Sequence, residues 1–116
     1  MRKVKVSVLL LSVLLTAGCS SHPGAGTWTA EGQVEINKVV VTFEGRAQLF
    51  SAGREEPLWR CFWSGQSRRN IAMECIYAVD NETEAMFSLE TTAPGKANLH
   101  KGDKFLVELN RQPETD

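Results

Sequence analysis

From Trp28 onward the apolar residues alternate with polar ones in short runs, and Gly, Pro, Asn and Asp separate the runs. A period of two marks a strand with one buried face, and those separators mark turns. The pattern predicts strands over 27–36, 38–43, 46–51, 58–63, 70–79, 84–91, 96–100 and 104–110. Val39, Val41 and Phe43 fall on one face, as do Ala47 with Leu49, and Phe105, Val107 and Leu109. Turns fall at Glu44-Gly45, Gly53 to Pro57, Asp80-Asn81, Pro94-Gly95 and Gly102-Asp103. About eight short strands with short connections make a mainly β domain, a small antiparallel barrel or sandwich.

One segment supports two assignments. Ser67 has the chemistry to cap a helix whose face would be Ile71, Cys75, Ile76 and Val79. As a strand, the same segment puts Ile71, Met73, Cys75, Tyr77 and Val79 on one face, and this is the reading adopted. A weak internal repeat supports hairpins elsewhere. Gly45-Arg46-Ala47-Gln48-Leu49 returns as Gly95-Lys96-Ala97-Asn98-Leu99, each with a small residue and then Leu on the inward side.

The start of the chain follows a different pattern. Arg2, Lys3 and Lys5 precede Val6–Leu15, a run of 10 residues with 8 apolar and no charge. A membrane span needs roughly 20 apolar residues, so this run fits the core of a secretory signal peptide instead. It ends in Thr16-Ala17-Gly18-Cys19, which resembles the lipobox of bacterial lipoproteins. The resemblance implies cleavage after Gly18 and a diacylglycerol thioether with an N-acyl chain (palmitate or similar) on Cys19. Two or more acyl chains hold a protein stably on a membrane. Ser20, in place of the Asp that retains Gram-negative lipoproteins at the inner membrane, implies the outer membrane, with the domain facing the periplasm. The domain plan is a signal peptide over 1–18, a lipidated Cys19 with a flexible tether to residue 26, and one β domain over 27–116.

Gly26-Thr27-Trp28 resembles the Gly-x-Trp that opens the first strand of calycins, the lipocalin and avidin-like barrels. In lipocalins an arginine near the last strand packs over that Trp, and here Arg111 ends the last predicted strand. The body is also similar in size to small lipoprotein barrels such as the membrane-bound lysozyme inhibitors. Their loop motif is absent, and no family is assigned to it.

Cys19 aside, Cys61 and Cys75 form an even pair, which in an exported protein implies a disulfide. Pairing them across a hairpin centres the turn on residue 68, within the polar run 64–70, and sets Trp59 opposite Tyr77 and Trp63 opposite Met73. Closing a loop of about 15 residues contributes ~3 kcal/mol in the chain-entropy model.

The 116 residues allow one domain, and a net charge of −1 argues against a nucleic-acid binder, which needs a basic surface. Catalytic chemistry has few candidates, and no enzyme is expected. His22 lies in the tether and His100 near a turn, no nucleophile or metalloprotease motif is present, and no cysteine is left free. No cofactor is expected, and no metal, since His100 and Asp103 alone fit a surface turn.

The central hairpin is unusual because its second face is also apolar, with Leu58, Phe62, Ala72, Ile76 and Ala78 interrupted by Arg60 and Glu74. An antiparallel strand with one wet face alternates more cleanly. Either the chain's own loops cover this face, or Leu58, Phe62 and Ile76 bind a protein partner. Arg68 and Arg69, at the hairpin tip, are placed to meet anionic lipid headgroups, lipopolysaccharide or an acidic protein patch. The reading that follows is a non-enzymatic interaction module, an accessory subunit of an envelope complex or an inhibitor or immunity protein. The alternative is a calycin-like carrier of a small apolar or lipid ligand.

Overall fold

The computed structural model describes residues 22–32 and 34–113; the signal segment and Cys19 lie outside the described residues. Eight strands follow one another: β1 (Gly26–Thr29), β2 (Lys38–Val41), β3 (Arg46–Phe50), β4 (Trp59–Gly65), β5 (Asn70–Tyr77), β6 (Glu84–Ala93), β7 (Lys96–Lys101) and β8 (Lys104–Arg111). Each pairs antiparallel with the next, and β1 closes against β8, so the sheet is a closed up-and-down barrel. Closure leaves no sheet edge. Between barrel and sandwich, the backbone hydrogen bonding thus selects the barrel.

The inward positions follow the period-two pattern, except that Phe43 and Val79 lie beyond the ends of β2 and β5 and Phe105 is turned outward where the β7–β8 register shifts, so all three are exposed. Trp28, Val39, Leu49, Ile71, Met73, Phe87, Leu89, Leu99 and Leu109 are each 1% exposed or less. An eight-stranded barrel is just wide enough for its own side chains to fill. The two halves of the internal repeat take equivalent places. Gly45 and Gly95 adopt positive φ (86° and 77°) at tight turns, and Ala47, Leu49, Ala97 and Leu99 all point inward and are buried. Residues 70–77 are strand β5, because alternation buries Ile71, Met73 and Cys75 while Glu74 and Ile76 face out. A helix would put these residues on one side and leave β4 and β6 without the partner they share.

Most strand ends move by two residues or fewer, and two boundaries shift further. The first strand ends at Thr29 rather than residue 36, since the chain leaves the sheet for a loop that returns Ile36 to the core. The expected tether also folds onto the barrel from His22. The His22 Nε2 lies 2.7 Å from the Ser67 carbonyl, its Nδ1 accepts from the Gly24 amide (2.9 Å), and its ring meets Trp63 edge-on. Gly65 makes room, since a Cβ there would approach the His22 ring to 2.9 Å.

Trp28 and Arg111 hold the seam between β1 and β8. Only two residue pairs, Trp28↔Arg111 and Thr29↔Asn110, join these strands. The Arg111 guanidinium lies 4.4 Å over the Trp28 ring and donates to the carbonyls of Pro23 and Ala25. The Trp28 indole N–H donates to the Gly24 carbonyl (3.0 Å). One arginine therefore ties the last strand, the first strand and the N-terminal segment together.

Candidate interaction surface

The hairpin β4–β5 pairs Cys61 with Cys75, Trp59 with Tyr77 and Trp63 with Met73, the register that pairing the two cysteines across the hairpin implies. The Cys61–Cys75 disulfide is formed and faces the core. With the cysteines inside, the pleat turns Arg60, Phe62, Glu74 and Ile76 outward.

The neighbouring strands extend this outer face into two rows. One runs Arg46, Phe62, Glu74, Met86 across β3 to β6; the next runs Gln48, Arg60, Ile76, Glu84. Phe62 is 66% exposed, Met86 51% and Ile76 43%. The Arg46 guanidinium stands 6.0 Å from the Phe62 ring. Two shallow depressions, of about 580 Å³ toward β3 and about 530 Å³ toward β6, share Arg60, Phe62 and Ile76 as a common ridge. The result is a ridge in which Phe62, Ile76 and Met86 are interleaved with Arg60 and Glu74 and flanked by Arg46 and Glu84, all on strands of a cross-linked barrel.

Phe62 and Ile76 are thus brought together, but two other expectations separate from them. Leu58 is half-buried against the core: its amide donates to the Leu49 carbonyl (2.7 Å) and its carbonyl accepts from Ala78 (2.8 Å), which folds the β3–β4 loop inward. Arg68 and Arg69 are exposed at the β4–β5 tip, at the barrel end rather than on this face. Met86 and Arg46 join the surface without having been singled out in the sequence. Strict alternation around inward Phe87 and Leu89 places Met86 outside, and the same rule around Ala47 places Arg46 there.

Elsewhere the side chains serve the fold. His100 packs edge-on against Phe105 at 5.7 Å. Trp59, Tyr77 and Phe87 form a buried aromatic cluster with the Lys101 ammonium 5.1 Å from the Trp59 ring centroid. Asp80 accepts from the Thr83 hydroxyl and from the Glu82 and Thr83 amides, which hold its carboxyl below the usual value of 3.8. No group of three or more His, Cys, Asp or Glu among the described residues is placed to hold a metal ion.

No protein-family model matches the chain, and no curated protein or solved structure matches it.

Proposed function

We propose that this protein is a small lipid-anchored, non-enzymatic interaction module at the periplasmic side of a Gram-negative outer membrane. It would serve as an accessory subunit of an envelope complex or as an inhibitor or immunity protein. The observation that carries this reading is the Phe62–Ile76–Met86 ridge, an apolar surface left outside a barrel whose inner face is lined by buried side chains from all eight strands. Exposed contiguous apolar surface rimmed by polar groups is characteristic of protein interaction sites. Arg46 and Arg60 lie on the β3–β4 side of the surface and Glu74 and Glu84 on the β5–β6 side, which suits a folded partner of matching charge pattern. A ligand carrier needs an unfilled apolar cavity of roughly 300 Å³ or more, whereas side chains from all eight strands meet inside this barrel.

The test is photo-crosslinking from position 62 in the intact protein in its own membranes, with exposed position 108 on β8, four strands round the barrel from β4, as control. A discrete protein adduct from position 62 that disappears in Ile76→Asp supports the reading. Equal adducts from both positions, or none from position 62, overturn it.

A further inference from the structure

The two ends of the barrel differ in charge, and the N-terminal segment joins one of them. Chain direction alternates strictly, so residues 22–25 share an end with the β2–β3, β4–β5 and β6–β7 turns. Counting each turn with its flanking strand-end residues, this proximal end carries five cations, Arg46, Arg68, Arg69, Lys96 and Arg111, against one carboxylate, Glu44. The distal end carries eight carboxylates against four cations by the same count. Glu114 and Asp116 follow Pro113 and lie outside the described residues. Phe43, at the proximal β2–β3 turn, is 75% exposed, the highest value among the exposed large hydrophobics. A recess of about 470 Å³ opens on the same end, lined by Arg69, Arg111, Thr91, Thr92 and Gly95 among others. The Arg69 carbonyl accepts from the Thr91 amide (2.8 Å), which fixes the backbone of Arg69 at the rim.

The tether is short because His22 is already docked. From Cys19 to His22 the chain spans three residues, at most about 10 Å when extended. An acyl group on Cys19 therefore holds the proximal end within about one headgroup layer of the bilayer surface. We propose that the barrel stands on the membrane by this end, with Arg68 and Arg69 on anionic phospholipid headgroups, the recess beside Arg69 and Arg111 open to a headgroup phosphate, and Phe43 dipping into the interface. An aromatic ring flanked by arginines suits that boundary, where cations meet anionic lipid and apolar side chains enter the headgroup region. The acidic distal end then faces away from the membrane, and the Phe62 ridge stands upright on the side wall, open to a partner approaching along the bilayer. This inference rests on the lipid-anchored reading above, and its test separates the two.

The full chain is expressed with its own signal segment, and Cys19 acylation is followed by radiolabelled palmitate. A photo-crosslinking residue replaces Phe43 or, at the distal end, Glu82. The lipidated proteins are reconstituted into vesicles of phosphatidylethanolamine with phosphatidylglycerol, or of phosphatidylcholine alone. The expected result is a phospholipid adduct from position 43, several-fold weaker from position 82, and stronger in the anionic vesicles. Each surface cation is worth roughly fivefold in binding to an anionic membrane, so Arg68→Glu with Arg69→Glu should lower the adduct at position 43 by at least about fivefold. An acylated protein that crosslinks equally from both ends, or ignores the double charge reversal, overturns the orientation and leaves the anchor standing. Absence of label on Cys19 overturns both.

Discussion

Trp28 and Arg111 face each other across the seam that closes the barrel, with the guanidinium 4.4 Å over the indole. The arginine is also the donor to two backbone carbonyls of the N-terminal segment. Losing it removes a cation–π contact of about 0.5–2 kcal/mol and hydrogen bonds worth about 1 kcal/mol each. Arg111→Ala should therefore destabilise the protein by about 2.5–4 kcal/mol. Arg111→Lys should recover little, because an ammonium lacks the planar fork that reaches two carbonyls while stacking on a ring. Urea unfolding followed by tryptophan fluorescence measures both; a lysine variant as stable as the parent would refute the fork argument.

The disulfide staples neighbouring strands whose loop is short, so its effect lies mainly in the unfolded chain. Replacing Cys61 and Cys75 together by Ala should cost ~3 kcal/mol. The Tm should fall by roughly 12 °C or more, since a domain of this size loses about 4–8 °C per kcal/mol. The fold itself should persist, because the same hairpin is held by seven residue pairs and by the Met73, Ile71 and Trp59 side chains in the core. Thermal denaturation of the double variant beside the parent gives the shift.

How much of this was legible in the sequence differs between side-chain pattern and loop geometry. Period-two alternation located all eight strands, and the cysteine spacing set the β4–β5 register residue by residue, because a one-residue slip would turn Met73 and Ile71 into water. Phe62 and Ile76 were visible as apolar residues on a face already excluded from the core. Leu58 packs half-buried against the core because it precedes β4, where loop hydrogen bonds, not the pleat, set its direction. The docking of His22 is invisible to local pattern because its partners, the Ser67 carbonyl and the space above Gly65, lie more than 40 residues away. Contacts of that range leave no local periodicity.

His22 offers a direct check on the shortened tether. His22→Ala removes a ring that bonds the Gly24 amide and approaches the Ser67 carbonyl, so it should cost about 1 kcal/mol and leave the barrel closed. Hydrogen exchange at the Gly24 and Ala25 amides should accelerate while that of β5 and β6 does not. Gly65→Ala should have the same local effect by filling the space the ring occupies. Unchanged exchange at Ala25 in both variants would show that the segment is held without His22.

Asp80 sets a local acid response. Its carboxyl is held below 3.8 first by the Thr83 hydroxyl and then by the Glu82 and Thr83 amides. A lowered folded pKa means that the stabilisation is complete above the unfolded value and is lost as pH falls through the folded one. The β5–β6 turn should therefore tighten at neutral pH and loosen only below 3.8. Asp80→Asn should remove that pH dependence, and Thr83→Ala should move the Asp80 titration back toward 3.8. Carboxyl chemical shifts followed by NMR from pH 6 to about 2 resolve both effects.

The strongest contrast lies between the two faces of one hairpin. Phe62 and Cys61 are adjacent in sequence, yet the pleat leaves Phe62 66% exposed and Cys61 5% exposed. A charge at position 62 meets water, whereas a charge at inward position 71 or 89 meets hydrocarbon and is left without a partner. Phe62→Asp with Ile76→Asp should therefore change stability by less than about 1 kcal/mol, as surface substitutions generally do. Leu89→Asp should prevent folding at 37 °C. Circular dichroism and thiol titration of the purified variants decide this: the double variant should keep the parent spectrum and its closed disulfide. If it unfolds instead, the Phe62 face is bearing load in the fold, and the ridge loses its claim to be a surface held ready for a partner.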